Sequence, residues 1–191
     1  DDLPEVIYAR EYDAAISPNG NIPVHAFNLI SPTFFANSST GNKYSLWVNV
    51  YGVSERYLNV YGEKDLRAQM NQFFHRTYTH PVDGTTLDMK MLCNWYWYDE
   101  TAILETGKGT KDWNFYRYAE TLLSAAEAIA QSSGVNAEAA GYLAQVKARA
   151  NMEGKDVSTI ASELQRLGKQ AFIEECWKER LREFPFCLLY T

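Results

Sequence analysis

The sequence predicts a mostly α protein with two different halves. Residues 113–184 repeat apolar side chains at helical spacing, which predicts a helical hairpin followed by a C-terminal helix. Residues 1–112 are rich in Asn, Gly, Ser, Thr, Pro and Tyr and hold only short apolar runs, which predicts a loop-rich, irregular α+β segment. We therefore divide the chain into an aromatic-rich first segment, 1–112, and a helical second segment, 113–191.

The helical hairpin is predicted from two apolar faces joined by a short linker. Gly134 is placed to end a first helix over 115–130, and Asn136 is a good N-cap for a second helix over 137–150. Because the linker is short, the two helices must run antiparallel, and small residues on both allow their axes to approach closely. The apolar faces consist of Phe115, Ala119, Leu122, Leu123, Ala126 and Ile129 in the first helix and Ala140, Leu143, Val146 and Ala150 in the second.

The other elements are predicted from local signals. Ser158 is expected to cap a third helical stretch, bent near Gly168, that ends at Phe184. The stretches "EVIYAREYDAA" and "YSLWVNVYG" are predicted to be short strands, because β-branched and aromatic residues alternate with polar ones. A short helix containing Leu66 and Met70 is predicted over 63–72, and "THPVDGTTLDMK" is predicted to be a loop.

Composition and motifs exclude several classes of function. A net charge of −6 argues against a nucleic-acid partner, because phosphate-binding surfaces carry a basic excess. The chain has no apolar run long enough to span a membrane. Its 3 cysteines have no CxxC spacing and its 3 histidines share no ligand spacing. Since phosphate-loop and nucleophile motifs are also missing, we expect no metal, no cofactor and no catalytic residue.

Three consecutive segments, "YRYAETLLSAAEAIAQSSG", "AAGYLAQVKARANM" and "FIEECWKERLREFPF", resemble landmarks of the SusD/RagB family in the same order. "PEVIYAREY" and "EKDLRAQM" are similar to earlier family segments, so the resemblance covers roughly residues 5–186 and corresponds to the C-terminal part of such a protein. It departs from the family at Lys147, where arginine is commoner, and at the end, "EFPFCLLYT". The matching residues are Arg117, Tyr118, Ala119, Glu120, Ala126, Glu127, Ala128, Val146, Lys147, Arg149, Ala150, Glu179, Arg180, Arg182, Glu183 and Phe184.

The resemblance implies a SusD-like fold with a tetratricopeptide-like helical hairpin, and a role without catalysis. Members of the family are lipoproteins of the outer membrane that bind nutrients, usually glycans, at the cell surface. The implied partners are an oligosaccharide ligand and a SusC-like TonB-dependent transporter that receives it. The implied lipid anchor lies on an N-terminal cysteine of the full-length protein, outside this chain.

Aromatic side chains are the predicted ligand contacts, because sugar rings present C–H groups that lie against flat aromatic faces. In "NWYWYDE", an extended backbone would place Trp95 and Trp97 on one face and Tyr96 and Tyr98 on the other. Neighbouring amides and carboxylates would bind the hydroxyl groups. An alternative is that the whole cluster is core packing. The predicted glycan-binding residues are Asn94, Trp95, Trp97, Tyr98 and Asp99, with Trp47 and Tyr51 from a second aromatic cluster.

The charged residues of the helices are interpreted as a structural ion-pair network that locks the hairpin to the third helix, because charges within apolar faces need partners when they are buried. Two other functions stay open. One is a tetratricopeptide-like module that binds a peptide, and the other is a glycan-processing enzyme with Asp99 and Glu105 as its carboxylate pair. The predicted network residues are Arg117, Glu120, Arg149, Glu179 and Arg180.

Overall fold

The structure is a computed structural model that describes residues 4–13, 15–16, 53–79, 84–96, 98–100 and 110–185. It is mostly helical, as predicted. In chain order its elements are β1 (Val6–Arg10), α1 (Glu55–Leu58), a 3-10 turn (Leu66–Ala68), β2 (Phe74–Thr79), β3 (Thr86–Asn94), β4 (Trp113–Arg117), α2 (Tyr118–Ser133), α3 (Ala137–Ala148), α4 (Val157–Leu164) and α5 (Lys169–Glu183).

The chain divides into two compact units. The β unit comprises Ala9–Leu58 and Ala68–Asn114 together with Asp1, and the helical unit comprises Asp2–Tyr8, Asn59–Arg67 and Phe115–Thr191. The predicted domain division between residues 112 and 113 stays a prediction. None of the described helices combines the length and the apolar character needed to cross a membrane.

The β unit is built on an antiparallel hairpin of β2 and β3. Phe74 pairs with Asn94 and Tyr78 with Leu87, and the register shifts between His75 and Thr77. Phe74 and Tyr78 are buried, so one face of β2 forms the local core. The prediction of a loop for "THPVDGTTLDMK" is wrong at Thr79, which ends β2, and over 86–90, which lie in β3. Leu and Met alternate there with Asp and Lys, a period of two that is typical of a strand.

The helix predicted over 63–72 is also wrong, since only Leu66–Ala68 form a single 3-10 turn. Tertiary contacts replace the helical hydrogen bonds, because the backbone N–H of Leu66 donates to the carbonyl oxygen of Ala150 at 2.8 Å. The Asp65 carboxylate accepts hydrogen bonds from the backbone and the guanidinium of Arg67. Arg67 is consequently buried, whereas Leu66 and Met70 are exposed.

Strands β1 and β4 form a two-stranded sheet. The strand predicted in "EVIYAREYDAA" is confirmed over Val6–Arg10, whereas "YSLWVNVYG" lies outside the described residues. Strand β4 was predicted as the start of a helix, but its Phe115 ring is exposed and stacks on Tyr8 at 5.4 Å between centroids. The first helix of the hairpin therefore begins at Tyr118.

The helical hairpin is confirmed in α2 and α3. Gly134 ends α2 with a positive φ of 82°, a conformation in which a residue without Cβ is favoured. The Asn136 side chain caps α3 by accepting a hydrogen bond from the backbone N–H of Ala139 at 2.9 Å. The short connection makes the two helices pack against each other.

The third predicted helix is two helices, α4 and α5. Asp156, and not Ser158, is the N-cap of α4, because its carboxylate accepts from the backbone N–H of Thr159 at 2.8 Å. Ser158 is instead the second residue of α4, and its hydroxyl donates to Asp156. Helix α4 ends before Gly168, which is the N-cap of α5. The predicted bend at this glycine is therefore a complete break.

The core of the helical unit is rich in alanine where α2 packs on α3. Leu123, Leu143 and Phe172 fill the centre, and α4 and α5 cover the inner face of the hairpin. Since alanine carries only a methyl group, the helix axes can approach closely and the larger side chains then occupy the remaining volume. The fully buried alanines are Ala126, Ala130, Ala139, Ala140 and Ala144.

Candidate functional site

The segment that follows β3 is a turn, not the extended stretch that was predicted. The backbone N–H of Tyr98 donates to the carbonyl oxygen of Trp95 at 3.0 Å. The side-chain oxygen of Asn94 accepts from the backbone N–H of Tyr96 at 2.9 Å, and the backbone N–H of Trp95 donates to the carbonyl oxygen of Phe73 at 2.7 Å. These bonds bring Trp95 and Tyr98 together, so the predicted alternation of faces does not occur.

Three rings stack at this turn. The Trp95 indole lies nearly parallel to His75, with centroids 4.3 Å apart, and nearly parallel to Tyr98, with centroids 4.9 Å apart. Tyr78 is buried and tilts against Trp95 at 5.7 Å. His75, Trp95 and Tyr98 are each half-buried. We call these three residues the ring stack.

The ring stack presents neutral rings with one polar edge. Burial, the largest influence, lowers the pKa of His75, so its imidazole is neutral near pH 7. Burial likewise raises the pKa of Tyr98, which keeps its hydroxyl protonated. That hydroxyl donates to the exposed Glu100 carboxylate at 3.2 Å. A flat apolar surface next to a hydroxyl and a carboxylate is suited to a ligand with C–H faces and hydroxyl groups.

Asn94 and Asp99 are both buried and are held by the protein itself. One oxygen of Asp99 accepts from the backbone N–H of Thr110 at 2.5 Å, from its hydroxyl at 3.0 Å and from the backbone N–H of Lys111 at 3.1 Å. Asp99 therefore ties residues 98–100 to 110–111. Both side chains support the turn, and their predicted role as ligand contacts stays a prediction.

The remaining predicted glycan-binding residues, Trp97, Trp47 and Tyr51, lie outside the described residues. Sequence reasoning missed His75, which lies in β2 and stacks on Trp95. The alternation of apolar and polar residues in β3 was the signal that predicts a hairpin there. A hairpin in that register places β2 beside the residues that follow β3.

A second feature is a set of ion pairs around the buried Glu183 of α5. Its carboxylate contacts Arg67 at 3.0 Å, Arg149 at 2.7 Å and Arg117. Glu5 joins Arg117 at 3.0 Å and Arg149 at 2.6 Å. Opposite charges therefore connect five parts of the helical unit: the residue before β1, the 3-10 turn, the start of α2, the end of α3, and α5. We call this set the Glu183 network.

The other predicted network residues lie in the same unit. Glu179 is fully buried and contacts Arg67 at 2.9 Å and Arg182 at 3.0 Å. Arg180 pairs with Glu127 and donates to the Ser124 hydroxyl at 3.2 Å. Glu120 is half-buried in the first turn of α2. Arg67 was missed, because a residue 116 positions from Glu183 offers no local signal of that contact.

The sequence profile of the SusD family matches residues 33–186, most of the chain. The chain belongs to the SusD family. Among curated proteins, no significant sequence match was found.

Solved structures have the same fold as this SusD-family chain. A SusD superfamily protein from Parabacteroides distasonis matches with a TM-score of 0.72 and 21% identity, over 95% of this chain and 36% of that one. Surface glycan-binding protein A from Bacteroides uniformis matches with a TM-score of 0.57 and 17% identity, over 96% and 35%. NanU from B. fragilis matches with a TM-score of 0.55 and 20% identity, over 97% and 42%. The chain thus spans well under half the length of these proteins.

In this SusD-family chain, the residues that carry the family resemblance are largely those that make ion pairs. Arg117 and Arg149 both contact Glu183, and the Arg117 guanidinium also lies over the Phe184 ring at 5.1 Å. Lys147, the departure from arginine, pairs with Glu175. These contacts connect the helices of the helical unit.

The ion pairs predict how the stability of this SusD-family chain depends on pH. Burial alone would raise the pKa of Glu127 and Glu175, but Arg180 and Trp177 around the first, and Lys147 and Arg182 around the second, outweigh burial and lower both pKa values. Such a carboxylate contributes stability that is present above its unfolded pKa, about 4.3, and is lost as the pH falls through the folded value.

We therefore expect the free energy of unfolding to decrease as the pH falls from about 5 to about 3. Urea titrations followed by circular dichroism at a series of pH values measure this. A Glu127→Gln variant is the control, because it removes one of the two carboxylates and should flatten the profile. Equal stability of the parent chain at both ends of that range would contradict the prediction.

Proposed function

We propose that the full-length protein binds a glycan at the cell surface without catalysis and delivers it to a TonB-dependent transporter of the outer membrane. Membership of the SusD family and the fold shared with a surface glycan-binding protein support this proposal. The observation that carries it is the half-buried ring stack of His75, Trp95 and Tyr98. A lipid anchor outside this chain would hold the protein at the membrane.

We place the sugar at the ring stack, whose three rings are each half-buried. Trp95 is already covered by His75 and Tyr98, so its role is to orient these two rings and not to be the main contact. A sugar ring would lie against Tyr98 or His75, with its C–H groups on the aromatic face. The Tyr98 hydroxyl and the exposed Glu100 carboxylate would then bind its hydroxyl groups. Trp97, Trp47 and Tyr51 remain proposed contacts of the same ligand.

The two other functions receive less support from the geometry. A peptide-binding tetratricopeptide module needs a free inner face, but α4 and α5 cover the inner face of the hairpin in this chain. A glycan-processing enzyme would use Asp99, whose oxygen already accepts three hydrogen bonds within the protein. Its suggested partner Glu105 lies outside the described residues.

Native affinity electrophoresis through gels that contain single polysaccharides tests the proposal. We expect one glycan to retard the chain, and we expect Tyr98→Ala and His75→Ala to weaken that retardation about tenfold, the loss for a contact worth about 1.4 kcal/mol. Tyr142→Ala is the matched control, since Tyr142 is a partly exposed tyrosine of α3 that hydrogen-bonds Glu138. In each gel, the mobility of the Tyr142→Ala variant should equal that of the parent chain.

The electrophoresis results test the location of the site and the glycan-binding function separately. Retardation that both ring variants retain would contradict the ring stack as the site, and the aromatic residues outside the described part would be tested next. A folded chain that no polysaccharide retards would contradict glycan binding by this part of the protein. Delivery is tested separately, by asking whether the full-length protein copurifies from outer membranes with a TonB-dependent transporter.

A further inference from the structure

The helical unit contains a cavity of about 440 Å³ that the ring stack does not share. Its lining comes from the segment 62–67, from the end of α3 and the residues after it, and from α4 and α5. Pockets that hold small organic ligands have volumes of roughly 300–1,000 Å³. The cavity is therefore large enough for one or two sugar rings.

The walls of this cavity are fixed by backbone hydrogen bonds. The N–H of Leu66 donates to the carbonyl oxygen of Ala150 at 2.8 Å, and the N–H of Met152 donates to the carbonyl oxygen of Lys64 at 3.0 Å. Asp65 and Asn151 form an antiparallel bridge between the same two segments. A cavity whose walls are joined in this way is formed before a ligand arrives, which reduces the entropy lost on binding.

The charge of the lining is high but balanced, with five cationic and five carboxylate side chains. Several of these charges are paired with one another. Lys155 contacts Glu153 at 2.8 Å and Glu163 at 2.9 Å at the rim, and Arg182 contacts the buried Glu179 at 3.0 Å. The side chains of Ala150 and Ile160 are the apolar part of the lining.

This balance selects for a neutral ligand with many hydroxyl groups. An ionic ligand would meet as many like charges as opposite ones, and would have to displace an existing ion pair to find a partner. A hydroxyl group both donates and accepts, so it can bridge a lysine and a carboxylate while their pair stays intact. Charge-assisted hydrogen bonds of this kind are stronger than neutral ones.

From these observations we propose that the cavity is a second binding site of this chain, for an uncharged monosaccharide or disaccharide. It goes beyond the proposed capture of a polysaccharide at the ring stack, because all residues that line it belong to the helical unit. The volume of the cavity fits one or two sugar rings, and a long glycan chain would not fit inside it.

Saturation-transfer NMR with uncharged hexoses and disaccharides, and with zwitterionic amino acids for comparison, tests this site. The variant is Lys155→Met, which removes a cation from the rim without touching the core. We expect one sugar to bind with millimolar affinity and its dissociation constant to rise about tenfold in this variant. Lys178→Met is the matched control, because Lys178 is exposed on α5 and does not line the cavity; it should bind like the parent chain.

Each outcome of the NMR experiment either supports or overturns the cavity as a second binding site. Sugar binding that Lys155→Met weakens, and that Lys178→Met and Tyr98→Ala both retain, supports a separate cavity site even if no polysaccharide retards the chain. The proposal is overturned if no uncharged sugar gives a signal with folded protein, if only amino acids bind, or if Lys155→Met binds like the control. Loss of the sugar signal in Tyr98→Ala would assign the binding to the ring stack.

Discussion

Replacing Glu183 with alanine is expected to lower the free energy of unfolding by about 3–5 kcal/mol. Glu183 is buried and its carboxylate contacts Arg67, Arg117 and Arg149. Arg67 and Arg117 are themselves buried, so removal of the carboxylate takes one counter-charge from each in a site that water screens poorly. Arg67 then keeps Asp65 and Glu179, and Arg117 keeps Glu5. Arg149 is largely exposed and solvent screens its charge, so its contribution to the loss is small.

Urea denaturation followed by circular dichroism at 222 nm measures this change in stability. Glu174→Ala is the matched control: the same substitution on the same helix removes an exposed carboxylate that hydrogen-bonds Gln170. That variant should stay within about 0.5 kcal/mol of the parent chain. A loss below about 1 kcal/mol for Glu183→Ala would show that Asp65, Glu179 and Glu5 suffice to compensate the arginines, and would contradict the central position of Glu183.

The second large effect is expected in the core of the helical unit. Phe172 is fully buried on α5, in the same core cluster as Leu123 and Leu143. Phe172→Ala should lower the free energy of unfolding by about 3–5 kcal/mol, because the transfer energy of the ring is lost and a cavity remains. The close-packed alanines of α2 and α3 have no rotamers with which to fill it.

Phe115→Ala is the matched control for this variant, since the Phe115 ring is exposed on β4 and stacks on Tyr8. Its expected loss is about 0.5–1.5 kcal/mol. Equal losses in the two variants would contradict the assignment of Phe172 to the core, and would instead make the sheet of β1 and β4 a stabilising surface. Both losses are read from the same urea titrations.

The residues that carry the family resemblance differ from the residues that are proposed to bind a ligand. Arg117, Glu179 and Glu183 make ion pairs that hold the helical unit together, so they explain why the motif resembles that of its family. The ring stack belongs to the β unit and involves none of these residues. The residues of the family motifs and those of the ring stack are therefore separate sets.

Local spacing was enough to place the hairpin, its Gly134 and Asn136 termini and most of its buried face, because a helix is held by contacts three or four residues apart. It was not enough for residues 63–72, where the Leu66 N–H bonds a carbonyl oxygen far along the chain. Nor did it separate Ser158 from Asp156 as a cap, since both have the right chemistry and lie two residues apart.

The aromatic residues also show this difference between local features, which the sequence predicts, and contacts, which the tertiary structure decides. Composition alone predicted ligand contacts in "NWYWYDE", and that stays a prediction. The predicted alternation of faces holds only if the backbone is extended, and the hydrogen bond between Tyr98 and Trp95 makes the backbone turn. His75 reaches Trp95 because β2 pairs with β3. Arg67 reaches Glu183 across 116 positions of sequence. Spacing along the chain predicts local structure such as helices and their ends. Contacts between distant segments depend instead on how the folded backbone brings those segments together.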